Sequence, residues 1–571
     1  MSRKIVIIGG VALGPKAACR AKRLDPEAEV YLIDKDEYIS YGGCGIPFYI
    51  SGDVSDESEL RSTSFHMVRD ERFFLQDKGV IAMTGTEVTR IDRDNKTVHI
   101  RKKDNSTDTL PYDKLVIATG TRPRHLNIPG ENLANVFTVS NLRDAMGIKN
   151  TVTNEGPEKA VIIGAGFIGL EMAEALADMW EIETTIVEVC DQVMPGFVGS
   201  QLATMVEKRL NKHGVTVHTK EKVVEILGEG KVTGVRTDKR ELAADLVILS
   251  AGVIPNTDLA KAAGLEVTPQ GLIVVNEKMQ TSDPDIYSGG DCVTVPNLVT
   301  GQPGYFPLGS MANRQGRVVG TNIVGGNAVF DGAVGSFVVK IFDSSLAGAG
   351  LTVDKARAAG FDAAGVMVAQ FDRAHFYIEK EIIYLELVVD RRTRRVLGIQ
   401  GFGGSGCEMV GRINAVATIL KYKPPVEEIS NLEIAYSPPF AAAMDIVNAL
   451  GNATANFLDG RYRPMELDAF RKVWENKDSQ DVFFVDCRAL ADAQPFADKF
   501  AGIWKSIPHD QLRDRLDEVP KDKKIVLVCN TGVRSYEAQL NLDAAGIKDT
   551  LSIGAGIAGL KEGGVDFKLD E

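Results

Sequence analysis

From Val161 the chain reads V-I-I-G-A-G-F-I-G, followed by a helical pattern from Leu170 to Met179 and a strand, Thr184 to Val187, that ends on Glu188. Strand, glycine turn, helix, strand and acid is the arrangement that binds a dinucleotide. Gly164, Gly166 and Gly169 let the backbone approach a pyrophosphate, and the acid takes an adenosine ribose hydroxyl. Glu188 accepts a 2'-hydroxyl and repels a 2'-phosphate, so NADH is expected over NADPH. The same plan occurs roughly 155 positions earlier. There the strand Lys4 to Ile8 runs into G-G-V-A-L-G, then a helical pattern to Leu24 and a strand, Val30 to Ile33, ending on Asp34. Gly9, Gly10, Gly14 and Asp34 are the matching contacts, with Val11 standing where the middle glycine is usual. Two such units commit the chain to an α/β fold with two Rossmann-like domains.

The remaining length asks for more. At 571 residues the chain should hold about three to four domains. A net charge of -13 argues against a nucleic-acid or anionic-membrane partner. The N-terminus enters an apolar strand without a signal-peptide layout, and no long uncharged run reads as a membrane span. Seven cysteines, an odd number, do not form a disulfide framework, so a reducing cytoplasm is expected.

One cysteine stands apart. Tyr38 to Tyr49 reads Y-I-S-Y-G-G-C-G-I-P-F-Y, placing Cys44 in a glycine-lined turn where a flat ring could approach the sulfur. A helix begun by the following residues would favour its thiolate. Two further segments, Leu115 to Pro123 (L-V-I-A-T-G-T-R-P) and Leu246 to Pro255, read as strands ending in small-residue turns. Thr119 and Gly120 in the first are candidate cofactor contacts. Thr281 to Asp291 reads as a strand closing on Gly-Gly-Asp.

In this order the pieces resemble the two-dinucleotide flavoprotein disulfide reductases. The resemblance implies FAD on a first, split domain and a nicotinamide cofactor on a second. It implies a flavin contact from Asp291 and a helix near Met311 to Val319 aimed at the isoalloxazine. The implied plan has FAD-binding parts at 1–110 and 256–328, a nicotinamide domain with crossover strands at 111–255, and an α+β dimerisation domain at 329–447. Within the family the chain is similar to the coenzyme A-disulfide reductase and persulfide reductase branch. There the tyrosine matching Tyr436, in A-Y-S-P-P-F, reaches the partner subunit's cysteine site. Arg20 and Arg23 on the first helix could hold coenzyme A phosphates.

Residues 448–464 read as a Gly/Asn/Pro linker, and 465–571 as a further α/β unit that resembles a rhodanese domain. Cys529 ends its strand K-I-V-L-V-C, Arg534 follows five positions later, and the loop between should aim backbone N–H groups at the sulfur. Cys487, within Asp486-Cys487-Arg488, is expected to be a buried small hydrophobe. Cys19, Cys190, Cys292 and Cys407 are assigned to packing.

Dithiol members of the family carry a second cysteine five residues on, where this chain has Tyr49. Cys44 must therefore cycle through a mixed disulfide, a persulfide or a sulfenic acid. Single-cysteine peroxide-reducing relatives carry a histidine in the first glycine loop, and Gly9 to Gly14 has none. The expectation is a homodimeric NADH-dependent flavoenzyme reducing persulfide, polysulfide or disulfide, with coenzyme A as carrier and Cys529 carrying sulfane sulfur. The alternative is an NADH oxidase or peroxidase using a sulfenic acid.

Overall fold

The computed structural model describes residues 2–404, 406–477 and 481–569. They form two compact units, Met1–Val189 with His218–Ala333, and Cys190–Val217 with Val334–Glu571.

The first unit is built on two parallel sheets. One has the strand order Ile286–Ser288, Lys114–Ile117, Lys4–Ile8, Glu29–Ile33, Ile81–Met83. The other runs Glu183–Val187, Lys159–Ile163, Leu246–Leu249, Val136–Thr138 in its parallel centre. Both central strands are apolar at consecutive positions because helices cover both faces of a parallel sheet. Ile5, Val6 and Ile7 are accordingly all fully buried. Lys114–Ile117 pairs with Ile5–Ile8, so it belongs to the first sheet and not to the 111–255 domain expected from sequence. The chain crosses over only afterwards, where Thr121–Pro123 pairs antiparallel with Val253–Pro255.

Helix Leu13–Leu24 is crossed by helix Gly309–Asn322 at very short range. A Cβ at Gly316 would lie 2.9 Å from the Leu13 carbonyl oxygen, and one at Gly320 2.5 Å from that of Ala17. No other residue type fits there without parting the helices.

In the second unit an antiparallel sheet has the order Phe337–Ile341, Ser344–Gly350, Val396–Phe402, Ile382–Asp390, Ala363–Phe371. A C-terminal parallel sheet follows, with Pro464–Met465, Thr550–Ile553, Lys524–Val528, Val482–Asp486 and Trp504–Ser506 side by side. Its core is aromatic, with Phe470, Phe484, Phe496, Trp504 and Phe567 packed together. Helix Ser200–Lys212 belongs here too. Its Gln201 side chain caps the Leu467 amide at 2.9 Å, and Arg209 pairs with Glu562 at 2.6 Å.

The expected linker at 448–464 is mostly helix instead, Ile446–Leu458. Asp445 caps its start, and Ile446, Val447, Leu450, Gly451 and Thr454 form a buried stripe at helical spacing. Gly451 is there for close packing, since a Cβ would lie 2.5 Å from the Ser430 amide nitrogen. Asp445 is in turn held by buried Arg412 at 2.7 Å. Among the described residues no helix is long and apolar enough to cross a membrane.

The same unit buries one carboxyl at a cost. Glu386 is 4% exposed, and its Oε2 has no hydrogen-bond partner. Burial, then the charges of Glu466 and Asp354, push it up to about 7, with a bond to Gln201 opposing. Stability tied to the neutral form is complete below the ordinary value of 4.5 and is lost as pH rises through about 7. Glu386→Gln is expected to stabilise the protein by about 2–3 kcal/mol more above pH 7 than near pH 4.5, read by denaturant unfolding at both. An equal effect at both pH values would refute a neutral buried carboxyl.

Candidate functional site

Each glycine turn is tied to the acid that follows the next strand. The Gly10 amide donates to Asp34 Oδ2 at 2.6 Å, and the Ala165 amide to Glu188 Oε2 at 2.8 Å. Gly9 and Gly164 have φ of 110° and 108°, and a Cβ on Gly14 or Gly169 would sit within 2.0 Å of the Gly9 or Gly164 carbonyl oxygen. A Cβ at Gly166 would meet nothing within 4 Å, which leaves its face of the turn clear for a ligand's phosphates. At the crossover the Asn256 side chain donates to the Thr119 carbonyl at 3.0 Å, and its amide to that of Gly120 at 2.9 Å. The conformation of these two glycine turns fits a dinucleotide's pyrophosphate.

Cys44 sits in the short helical turn Gly43–Gly45, directly before helix Ile46–Ser51. That helix is pinned at its far end, because the Ile50 carbonyl accepts from Trp180 Nε1 at 2.8 Å and Lys149 Nζ at 3.1 Å. The sulfur also faces the start of helix Gly309–Asn322, where a Cβ on Gly309 would lie 3.5 Å from Sγ. The thiol is solvent-accessible. Its surroundings nevertheless push it up, through desolvation by close protein atoms and then the carboxylates of Glu171 and Asp291. The helix expected after it is only six residues long.

Those carboxyls are themselves perturbed. Burial raises Asp291 to about 6, and burial with the charge of Glu174 raises Glu171 to about 7. Sequence reasoning missed Glu171, although an acid two residues past the last glycine of G-A-G-F-I-G was the available signal.

The crossing of the two helices also gathers cations. Lys16, Arg20 and Arg23 face Asn313, Arg314 and Arg317 around one cavity of about 250 Å³. Arg20 is oriented by a 3.1 Å bond from Nε to Thr321 Oγ1. Sequence reasoning found Arg20 and Arg23 only, since their partners lie about 300 residues away.

In the second unit Tyr436 is half exposed, with Phe440 and Met444 exposed nearby in sequence. Cys529 is 2% exposed and accepts a bond from the Gly532 amide at 3.0 Å. Arg534 is exposed and follows as the second residue of helix Val533–Ala544. Cys487 is buried, as expected. Cys292 is buried and Cys19 partly so, whereas Cys190, assigned to packing, is exposed because it follows the strand end at Glu188. The side chain of Cys407 lies outside the described residues.

Removing the negative charge that acts most strongly on Cys44 should ease its ionisation. Glu171→Gln is expected to lower its titration midpoint, read from the pH dependence of alkylation of the Cys44 peptide. A midpoint that stays or rises would contradict this placement.

Residues 3–313 match the pyridine nucleotide-disulphide oxidoreductase family, and residues 336–447 match its dimerisation domain. Over 446 residues the chain is 35% identical to the NAD(P)H coenzyme A polysulfide/persulfide reductase of Pyrococcus horikoshii, covering 78% of this chain and 97% of that one. Over 457 residues it is 33% identical to the NADH oxidase of Methanocaldococcus jannaschii, covering 79% and 100%. The solved structure of a NAD-dependent persulfide reductase from A. fulgidus covers 97% of this chain and 99% of its own, with a TM-score of 0.91 and 38% identity. The chain belongs to the pyridine nucleotide-disulphide oxidoreductase family, whose redox pair is FAD and a nicotinamide cofactor.

Proposed function

We propose that the protein is an NADH-dependent reductase of persulfide or polysulfide carried on coenzyme A, working through Cys44 as its single redox thiol. The observation that carries this reading is an exposed Cys44 beside the start of helix Gly309–Asn322, together with a cavity of six lining residues, five of them basic, where that helix crosses Leu13–Leu24. Lys16, Arg20, Arg23, Arg314 and Arg317 suit the phosphates of coenzyme A, to which guanidinium groups donate paired bonds. The similarity to a coenzyme A polysulfide/persulfide reductase supports the same substrate class. Glu188 favours NADH over NADPH.

In this scheme the Cys44 thiolate attacks the carrier-bound sulfur of a persulfide. Hydrosulfide leaves, and Cys44 is joined to the carrier in a mixed disulfide. FAD and NADH together supply the two electrons that return Cys44 and the carrier to thiols. With no cysteine at position 49, Cys44 has no neighbouring thiol to resolve it, so its sulfur must be the atom presented to the flavin. Glu171 and Asp291 are the carboxyls able to exchange protons beside it.

The C-terminal domain would be a rhodanese in which Cys529 carries sulfane sulfur, cradled by the Gly532 amide. A homodimer would cover the exposed Tyr436, Phe440 and Met444, and bring Tyr436 to the partner's Cys44 site. An NADH oxidase is the second reading, favoured by the Methanocaldococcus jannaschii relative.

Hydrosulfide release from coenzyme A persulfide separates them. Wild type and Cys529→Ser should release it with NADH, and Cys44→Ser should not. Oxygen-dependent NADH consumption with no hydrosulfide release would establish the oxidase instead. Arg314→Ala should raise KM for the coenzyme A substrate about tenfold, as loss of one charge-assisted bond implies, with little change for inorganic polysulfide.

A further inference from the structure

The loop that carries Cys529 rests on a second piece of backbone, residues 554–558. The Ile557 amide donates to the Cys529 carbonyl at 2.9 Å, and the Ala558 amide to the Asn530 carbonyl at 3.0 Å. A Cβ at Gly556, whose φ is 62°, would lie 2.4 Å from the Asn530 carbonyl oxygen, and one at Gly532 2.2 Å from that of Gly554. Only glycine fits at either position. These residues form a floor that sets where the Gly532 amide points, and that amide donates to Cys529 Sγ at 3.0 Å.

The underside of this floor lies on the antiparallel sheet, within the segment 336–447 that matches the dimerisation domain. Tyr384, on strand Ile382–Asp390, donates from its hydroxyl to the Ala558 carbonyl at 3.2 Å. A Cβ at Gly559 would lie 3.9 Å from Tyr384 Cε1, so helix Gly556–Glu562 comes into contact with the ring. On the neighbouring strand Ala363–Phe371, the Met367 carbonyl oxygen would be 3.4 Å from a Cβ at Gly554. Tyr384 is 4% exposed. Burial and then the charge of Glu562 push its hydroxyl up, against the opposing charge of Arg209, so it stays a donor.

We propose that Tyr384 is a positioning residue for Cys529, bracing the floor of its loop from the dimerisation domain. The proposal rests on the sulfur-transfer reading of Cys529. In that reading the Cys529 thiolate takes the outer sulfur of a donor such as thiosulfate, sulfite leaves, and Cys529 becomes Cys–S–S⁻. An acceptor nucleophile then takes that outer sulfur, and the electron pair of the broken bond returns to Cys529 Sγ. Both forms of the cysteine are anions, and a hydrogen bond to an anion weakens steeply once its donor turns away. A floor free to shift would let the Gly532 amide swing off the sulfur. The Tyr384 hydroxyl removes that freedom, so the C-terminal domain draws part of its site from the domain before it.

A second contact joins the same two domains without touching residues 554–558. Arg209 pairs with Asp343 at 2.7 Å and with Glu562 at 2.6 Å. Breaking it separates bracing of the loop from simple docking of the domains.

The test measures thiosulfate-to-cyanide sulfur transfer by the full-length protein. Tyr384→Phe keeps the ring and loses the hydroxyl, and its turnover is expected to fall about three- to tenfold, as one lost hydrogen bond implies. The persulfide that thiosulfate loads per subunit should stay at the wild-type level, which partial unfolding would lower. Amide exchange should quicken in helix Gly556–Glu562 and in the loop after Cys529, while bleaching of bound flavin by NADH is unchanged. Glu562→Ala breaks the docking pair, leaves the Tyr384 hydroxyl in place, and should transfer sulfur as wild type does. Tyr384→Phe turnover equal to wild type, or an equal loss in Glu562→Ala, would overturn the proposal. A wild type that transfers no sulfur would sink the sulfurtransferase reading alone. Quickened exchange in Tyr384→Phe would then still support the brace, and unchanged exchange would refute it.

Discussion

A methyl group at Gly320 would stand 2.5 Å from the Ala17 carbonyl oxygen, and one at Gly316 2.9 Å from that of Leu13. Both distances are inside van der Waals contact, so the two helices can touch only through glycine. That contact brings the start of helix Gly309–Asn322 against Cys44, and it brings Arg314 and Arg317 opposite Lys16, Arg20 and Arg23. One close approach therefore builds both the surroundings of the Cys44 sulfur and the cationic cavity. Widening it by the bulk of one side chain would disturb the two together.

The electrostatics around Cys44 run against the simplest expectation for a reactive thiol. Desolvation, Glu171 and Asp291 all disfavour its anion. A thiol with a high value is a poor nucleophile when idle. It needs a positive or strongly polar group to be brought near, and the carboxyls at about 7 and about 6 can lose their own charge by taking up protons.

Cys529 is handled by different means. It is almost fully buried, its sulfur accepts from one backbone amide, and a serine hydroxyl stands ready as a second donor. The loop glycine at 532 has φ of 104°, which lets the amide turn inward. One thiol is exposed and has two carboxyls acting on it. The other is enclosed and accepts a backbone hydrogen bond.

Much of this was legible in the chain itself. The two glycine fingerprints, their terminal acids, the lone Cys44, Asp291 and the Cys529 loop are local patterns, set by backbone sterics and by residues a few positions apart. Nearest-neighbour chemistry also showed that no second thiol follows Cys44. What sequence could not show were meetings of distant segments. Lys114–Ile117 joined the first sheet through pairing with Ile5–Ile8, and 448–464 became a helix because its apolar stripe found a surface to pack on. The basic cavity unites side chains about 300 positions apart, and beside Cys529 the buried hydroxyls of Ser535 and Ser552 meet from a helix and a strand. Local periodicity determines which elements form. Only packing decides which side chains share a site, because no spacing rule in the sequence reaches across such distances.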